Sequence, residues 1–76
     1  MYRKARLSNR EKECLALLAQ GLRRHQIAHV LAISVATVDL HFSNAKTKLH
    51  ARTREQALVR AVVLGLVNTE GGCGSY

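Results

Sequence analysis

Tryptophan and proline are missing from this chain of 76 residues, phenylalanine occurs once, tyrosine twice, and acidic residues number only five. Each scarcity narrows the fold. With so few aromatics, burial has to come from Leu, Val, Ile and Ala, and the resulting core is small. With no proline to break a helix, and with β-branched residues scattered among Ala, Leu, Gln and Lys, strand propensity never builds over a run of strand length. The expectation is an all-α domain. Two cysteines, Cys14 in a helical pattern and Cys73 in a Gly-rich tail, make no disulfide framework and suit a reducing compartment. No apolar run approaches the ~20 residues that span a bilayer, and no apolar block follows the basic N-terminus. The chain therefore reads as cytoplasmic, with no membrane partner. There is no Gly-rich phosphate loop and no nucleophile paired with a base, and the carboxylates are scattered, so neither an enzyme nor a cofactor is expected.

What is abundant is positive charge. Twelve Lys plus Arg against five Asp plus Glu give a formal charge of +7, which on so small a body spreads positive potential over much of the surface. A polyanionic partner follows, although the same charge suits an acidic membrane or simple solubility. Only a motif can decide between these.

The length allows one domain. Residues 1–7 form a basic lead-in, 8–67 the domain and 68–76 a flexible tail. Ser8-Asn9-Arg10-Glu11 is an S-x-x-E capping box, which opens a first helix whose apolar positions are Cys14, Leu15, Leu18 and Ala19. It stops near Gln20, because Gly21 can take the left-handed conformation that ends a helix. A short second helix fits Arg24 to Leu31, with Ile27, Ala28 and Leu31 on one stripe. Ala32-Ile33-Ser34 makes a tight corner, and Ser34 is a good N-cap for a third helix from about Val35 to Leu49, where Val38, Phe42, Ala45 and Leu49 share one face. Thr53-Arg54-Glu55-Gln56 is a T-x-x-Q box opening a fourth helix that ends near Leu64, before Gly65.

Helices two and three, joined by a three-residue corner, have the spacing of a helix-turn-helix, in which the first helix braces the second so that its outer side chains reach base edges. With Val38, Phe42, Ala45 and Leu49 inward, Ala36, Asp39, Leu40, Ser43 and Thr47 turn outward and become the candidate base contacts. Asp39 can accept from a cytosine amino group, Ala36 and Leu40 can meet thymine methyls, and Ser43 and Thr47 suit several base edges. No Arg or Lys lies among them, so affinity has to come from charges at the rim. Arg23, Arg24 and His25 cluster where helix two begins, and Lys46 and Lys48 flank helix three; Thr37 and Asn44 share the Lys48 flank. Phosphate oxygens are the expected partners of all seven. Arg52 and Arg60 read instead as plain solvated charges.

Leu7-Ser8-x-Arg10-Glu11-Lys12-Glu13-Cys14-Leu15, then Ile27-Ala28, Leu31-Ala32-Ile33-Ser34, Thr37-Val38-Asp39-Leu40-His41, Asn44-Ala45, Lys48-Leu49 and Arg54-x-Gln56-Ala57 resemble the LuxR/GerE-type domain in order and spacing. The stretch from Asn44-Ala45 to Gly65-Leu66-Val67 is most similar to the acyl-homoserine-lactone branch of that family. The resemblance implies that helix three enters the major groove of double-stranded DNA, that positions 39, 40 and 43 face bases, and that the protein regulates transcription as a dimer, with a contact to the transcription machinery. Relatives often carry basic residues at 39 and 43, from which Asp39 and Ser43 depart. Ala32 is a second departure: if the corner needs a left-handed residue, a side chain there costs about 1 kcal/mol. Relatives usually carry a ligand-binding or phospho-acceptor domain ahead of this one. Here an excised output domain and a free-standing small regulator both remain open, and with no room for a lactone pocket no small-molecule ligand is expected.

His25 and His29, with His41 or His50, have metal-like spacing, but no cysteine or carboxylate completes a site, so no metal is expected. Helix four is apolar nearly all round; Ala57, Leu58, Ala61 and Leu64 are expected to pack inward, and Val59, Val62, Val63 and Leu66 to pair with a second copy. The alternative function is a helix-turn-helix module that dimerises with or sequesters a longer regulator without reading DNA.

Overall fold

The computed structural model describes residues 6–67 and folds them into four helices, α1 (Asn9–Ala19), α2 (Arg24–Leu31), α3 (Val35–Lys48) and α4 (Arg54–Val63). Among the described residues there is no strand, and the all-α expectation holds. The first five residues of the lead-in, the tail from 68 onward and Cys73 lie outside the described residues.

Each helix starts at an extended residue whose side chain or neighbour meets the orphan amides of the first turn. At α1 the capping box is complete: Glu11 N donates to Ser8 Oγ at 3.1 Å, and Ser8 N donates to Glu11 Oε1 at 2.9 Å. Ser34 Oγ accepts from Thr37 N at α3. At α4 the expected box is half formed. Thr53 Oγ1 accepts from Gln56 N, but the Gln56 side chain takes the amide of Arg52, one residue earlier, at 2.7 Å. That amide also has no helical acceptor, so bonding it meets the same need. A glutamine does similar work at α2, where Arg23 N donates to Gln26 Oε1.

The four C-termini share one geometry. A left-handed residue follows each helix, and the two amides at and after it fold back on the last turn, as in the Schellman motif. The left-handed residues are Gly21, Ala32, His50 and Gly65, at φ 94°, 59°, 55° and 75°. Leu22 N reaches Leu17 O, Ile33 N reaches Ala28 O, Ala51 N reaches Lys46 O and Leu66 N reaches Ala61 O. The corner thus does use a left-handed residue, and Ala32 adopts the conformation in which a side chain is strained.

The inward stripe of α3 is the centre of the core. Val38, Ala45 and Leu49 are completely buried and Phe42 nearly so, meeting Cys14 and Leu15 of α1, Ile27 and Ala28 of α2, and Ala57 and Ala61 of α4. Fully burying side chains of the Val, Leu or Phe class contributes about 1.5–3 kcal/mol each, so this stripe dominates stability. Leu7, placed by sequence in the lead-in, is buried in the same core, as is Val67 at the other end. Ala19, expected on the α1 stripe, is exposed.

Helix α4 requires a correction. Leu64 is exposed, whereas Leu66 is half-buried against the core. The expected roles of these two leucines are reversed, because the helical register on which they were assigned ends at Val63. Gly65 then turns the chain and carries Leu66 and Val67 back across the last turn.

Candidate nucleic-acid interface

Between α2 and α3 the chain bends by 107°, within the roughly 90–120° of helix-turn-helix units. Ile33 is half-buried beneath the bend, and the Ala32 conformation makes it tight. This corner presents one long side of α3 to solvent. Ala36, Leu40, Ser43 and Thr47 are exposed there, and Asp39 is half-exposed. The five expected base contacts therefore share an outer face, and Leu40 is the large apolar group on it.

Around that face the cations divide into two groups. Arg23 and His25 are exposed at the start of α2, Lys46 is half-buried on the flank of α3, and Asn44 is exposed beside it. Arg24 and Lys48 instead have protein partners, which the sequence reading did not anticipate. Arg24 Nη1 lies 2.8 Å from Asp39 Oδ2, so a residue assigned to phosphate and one assigned to bases are tied together. Lys48 Nζ lies 2.8 Å from Glu11 Oε1, so its first role is to join α3 to α1. Thr37 is likewise engaged, its Oγ1 sharing a hydrogen bond of 2.8 Å with Ser34 Oγ.

Glu11 is the one buried charged residue among those described. Burial pushes its carboxyl up. The Lys48 hydrogen bond, the Ser8 amide and the nearby charges of Lys48 and His41 outweigh that and hold it below the usual carboxylate range. Cys14 shows the opposite balance: burial, with Glu13 and Glu11 nearby, pushes the thiol up to about 11 against a weaker lowering by Arg10.

Two arginines missed by the sequence reading brace the recognition unit from below. Arg60, read as a solvated charge, donates from Nη1 to Leu49 O at 3.0 Å and His50 O at 2.9 Å, capping the end of α3 from α4. A cation at a helix C-terminus meets both the free carbonyls and the negative end of the dipole. Arg54 stacks over the Phe42 ring, 5.3 Å from its centroid. Neither partner is near in sequence, so nothing in the local pattern of α4 pointed to these contacts.

The structure has an open cleft of about 470 Å³, lined by Leu18, Gly21, Leu22, Arg23, Arg24, His25, Arg54 and Glu55. It opens because α2 and α4 both pack on α1 and α3 but not on each other. Among the described residues no group of three His, Cys, Asp or Glu side chains is arranged to hold a metal. No single described helix is long and apolar enough to cross a membrane.

Comparison with known proteins agrees with this geometry. The model of the family described as bacterial regulatory proteins, luxR family, matches residues 5–61. VanR of Vibrio anguillarum, a transcriptional activator protein, is 43% identical over 65 residues, which cover 86% of this chain and 27% of VanR. The structure of the transcription factor GerE superposes with a TM-score of 0.80 at 34% identity, covering 88% of this chain and 98% of that one. The Vibrio cholerae VqmA–ligand–DNA complex gives 0.73 at 29% identity, covering 93% of this chain and 32% of VqmA. The chain spans about a quarter of the length of the curated relatives it matches. With the family model matched over most of its length and the corner, caps and core in place, the chain belongs to the LuxR family of bacterial regulatory proteins, as a helix-turn-helix DNA-binding domain and not an enzyme.

Proposed function

We propose that this domain binds double-stranded DNA with α3 in the major groove, as a dimer on an inverted repeat. The observation that carries the reading is the outer face of α3, which is free of neighbouring helices and edged by the cations of α2 and of its own last turns. Ala36, Leu40, Ser43 and Thr47 meet base edges. Arg23, His25, Asn44 and Lys46 hold phosphates, Thr37 adds a hydroxyl from the corner, and Lys48 adds the donors left over from its bond to Glu11. Arg24 and Asp39 enter as one ion-paired unit rather than as a separate phosphate cation and base acceptor.

The dimer reading is supported by α4. Val59, Val62, Val63 and Leu64 are 60%, 40%, 78% and 44% exposed and succeed one another along one end of the helix. Single exposed apolar residues are ordinary, but four in one short segment form a patch that association would cover. Two-fold pairing there would set two α3 helices about 34 Å apart, one turn of DNA. The same patch favours the second reading, in which the domain pairs with a longer regulator without touching DNA.

Titration of a labelled random duplex library against the domain at increasing salt tests the reading. Affinity should fall steeply, with Arg23→Ala and Lys46→Ala each reducing the slope by about 1. Absence of any complex at low salt would exclude DNA binding and leave the pairing module.

A further inference from the structure

Arg24 and Asp39 stand fifteen residues apart on different helices and meet across the corner at 2.8 Å, with side chains 55% and 45% exposed. Ion pairs this exposed add little to stability, so holding the fold together is a poor account of this one. Its surroundings point elsewhere. Asp39 is the only acidic residue of α3, and it lies on the face that would meet a polyanion. A bare carboxylate there would be repelled by the phosphates, and Arg24 cancels it. The same face lacks any cation of its own, since Ala36, Leu40, Ser43 and Thr47 are all uncharged.

A guanidinium carries five N–H donors in a rigid planar fork, and the bond to Asp39 engages Nη1 alone. The remaining donors keep an edge free, wide enough for the two acceptors, O6 and N7, that guanine shows in the major groove. We propose that Arg24, although it belongs to α2, is the guanine-reading residue of this domain, and that Asp39 is its positioning residue rather than a reader of cytosine. The carboxylate draws the arginine from the start of α2 onto the outer side of α3 and limits the planes the fork can take. The helix thereby gains the bidentate donor its own sequence lacks. Because the pair is neutral as a unit, its contribution goes to base choice, while the salt-dependent grip stays with the unpaired cations.

This inference rests on the DNA-binding reading. Selection from random duplexes, followed by titration of each possible base pair, tests it with the full chain and with Arg24→Ala, Asp39→Ala and the double variant. The unaltered protein should select a G·C pair at one position of each half-site. Both single variants should relax that same position by about tenfold or more, leaving the rest of the consensus intact. The double variant should lose no more than Arg24→Ala alone, as expected when one residue acts through the other. Thermal melting should be the same for all four proteins, which separates recognition from folding. The inference is overturned if Arg24→Ala weakens every sequence equally and lowers the salt slope by about 1, which is the behaviour of a phosphate contact. It is equally overturned if Asp39→Ala relaxes a different base pair, for Asp39 is then a reader in its own right. A wild-type domain that forms no complex refutes the DNA reading itself, and this inference with it.

Discussion

Lys48 Nζ stands 2.8 Å from Glu11 Oε1, and the glutamate it reaches across 37 residues of chain is only 4% exposed. One carboxylate therefore caps α1 through the Ser8 amide and anchors the last turn of α3. Its folded pKa lies below the ordinary 4.5, so its stabilising effect is complete above about pH 4.5 and is lost as pH falls through the lower folded value. Glu11→Gln should cost about 1–3 kcal/mol at neutral pH, since a buried hydrogen-bonded charge pair is broken. In urea titrations from pH 7 to pH 3, the difference between variant and wild type should shrink as the solution becomes acidic. Parallel curves over that range would show that the pair contributes nothing to acid sensitivity.

Local features of this fold could be read from sequence, and contacts made over distance could not. Ser8, Ser34 and Thr53 act on amides three residues away, and Gly21 and Gly65 act on the turns just before them, so residue type and short spacing identified both ends of α1 and α4 and the start of α3, whereas Arg23 before α2 and the left-handed His50 after α3 carry no such signal. The α3 stripe was legible because its period is set by the helix alone. Lys48 with Glu11, Arg24 with Asp39 and Arg60 with the Leu49 carbonyl depend instead on how helices cross. A cation's partner is therefore invisible until packing is known, which is why two of the cations expected on phosphates, Arg24 and Lys48, and one expected solvated charge, Arg60, have protein partners. Leu64 and Leu66 were misassigned for a related reason: extending a helical wheel past Val63 ignores the reversal at Gly65.

Ala32 at φ 59° and Gly21 at φ 94° end their helices in the same way with different residues, and substitution should move stability in opposite directions. Ala32→Gly relieves the clash of a β-carbon in the left-handed region and should stabilise by about 0.5–1 kcal/mol, after the extra backbone entropy of glycine is deducted. Gly21→Ala should destabilise by about 1 kcal/mol through the backbone alone, because an added β-carbon would meet no atom within 4 Å. Chemical denaturation of both variants checks the signs. A loss of stability in Ala32→Gly would mean that the alanine methyl has a packing role.

Arg60→Ala should cost about 1–2 kcal/mol, since it removes a charged donor from two carbonyls at the end of α3. Arg60→Lys should recover only part of this, because an ammonium is a point charge without the planar fork. Amide exchange around Leu49 and His50 is the direct readout. It should speed up in the alanine variant while the N-terminal turn of α3, capped by Ser34, stays protected.

Cys14 is fully buried, and its thiol is pushed up to about 11, so almost no thiolate exists at pH 8. A thiol reagent at that pH should label Cys14 only as fast as the protein unfolds. The rate should track global stability across the variants above, falling in Ala32→Gly and rising in Glu11→Gln. Rapid labelling of Cys14 under native conditions, identified by peptide mapping, would show local opening between α1 and α3.

Val63 and Leu66 lie three residues apart on opposite sides of the Gly65 turn, one 78% exposed and the other packed against the core. If the exposed α4 patch pairs with a second copy, Val63→Glu should place a charge in the seam. It should give a monomer by sedimentation velocity, with melting of the isolated fold unchanged and weaker binding to a two-half-site duplex. Leu66→Glu should behave differently, lowering the melting temperature because the charge must leave water to occupy the leucine site. A Val63→Glu protein that sediments like wild type over the same concentration range would exclude this patch as the dimer seam.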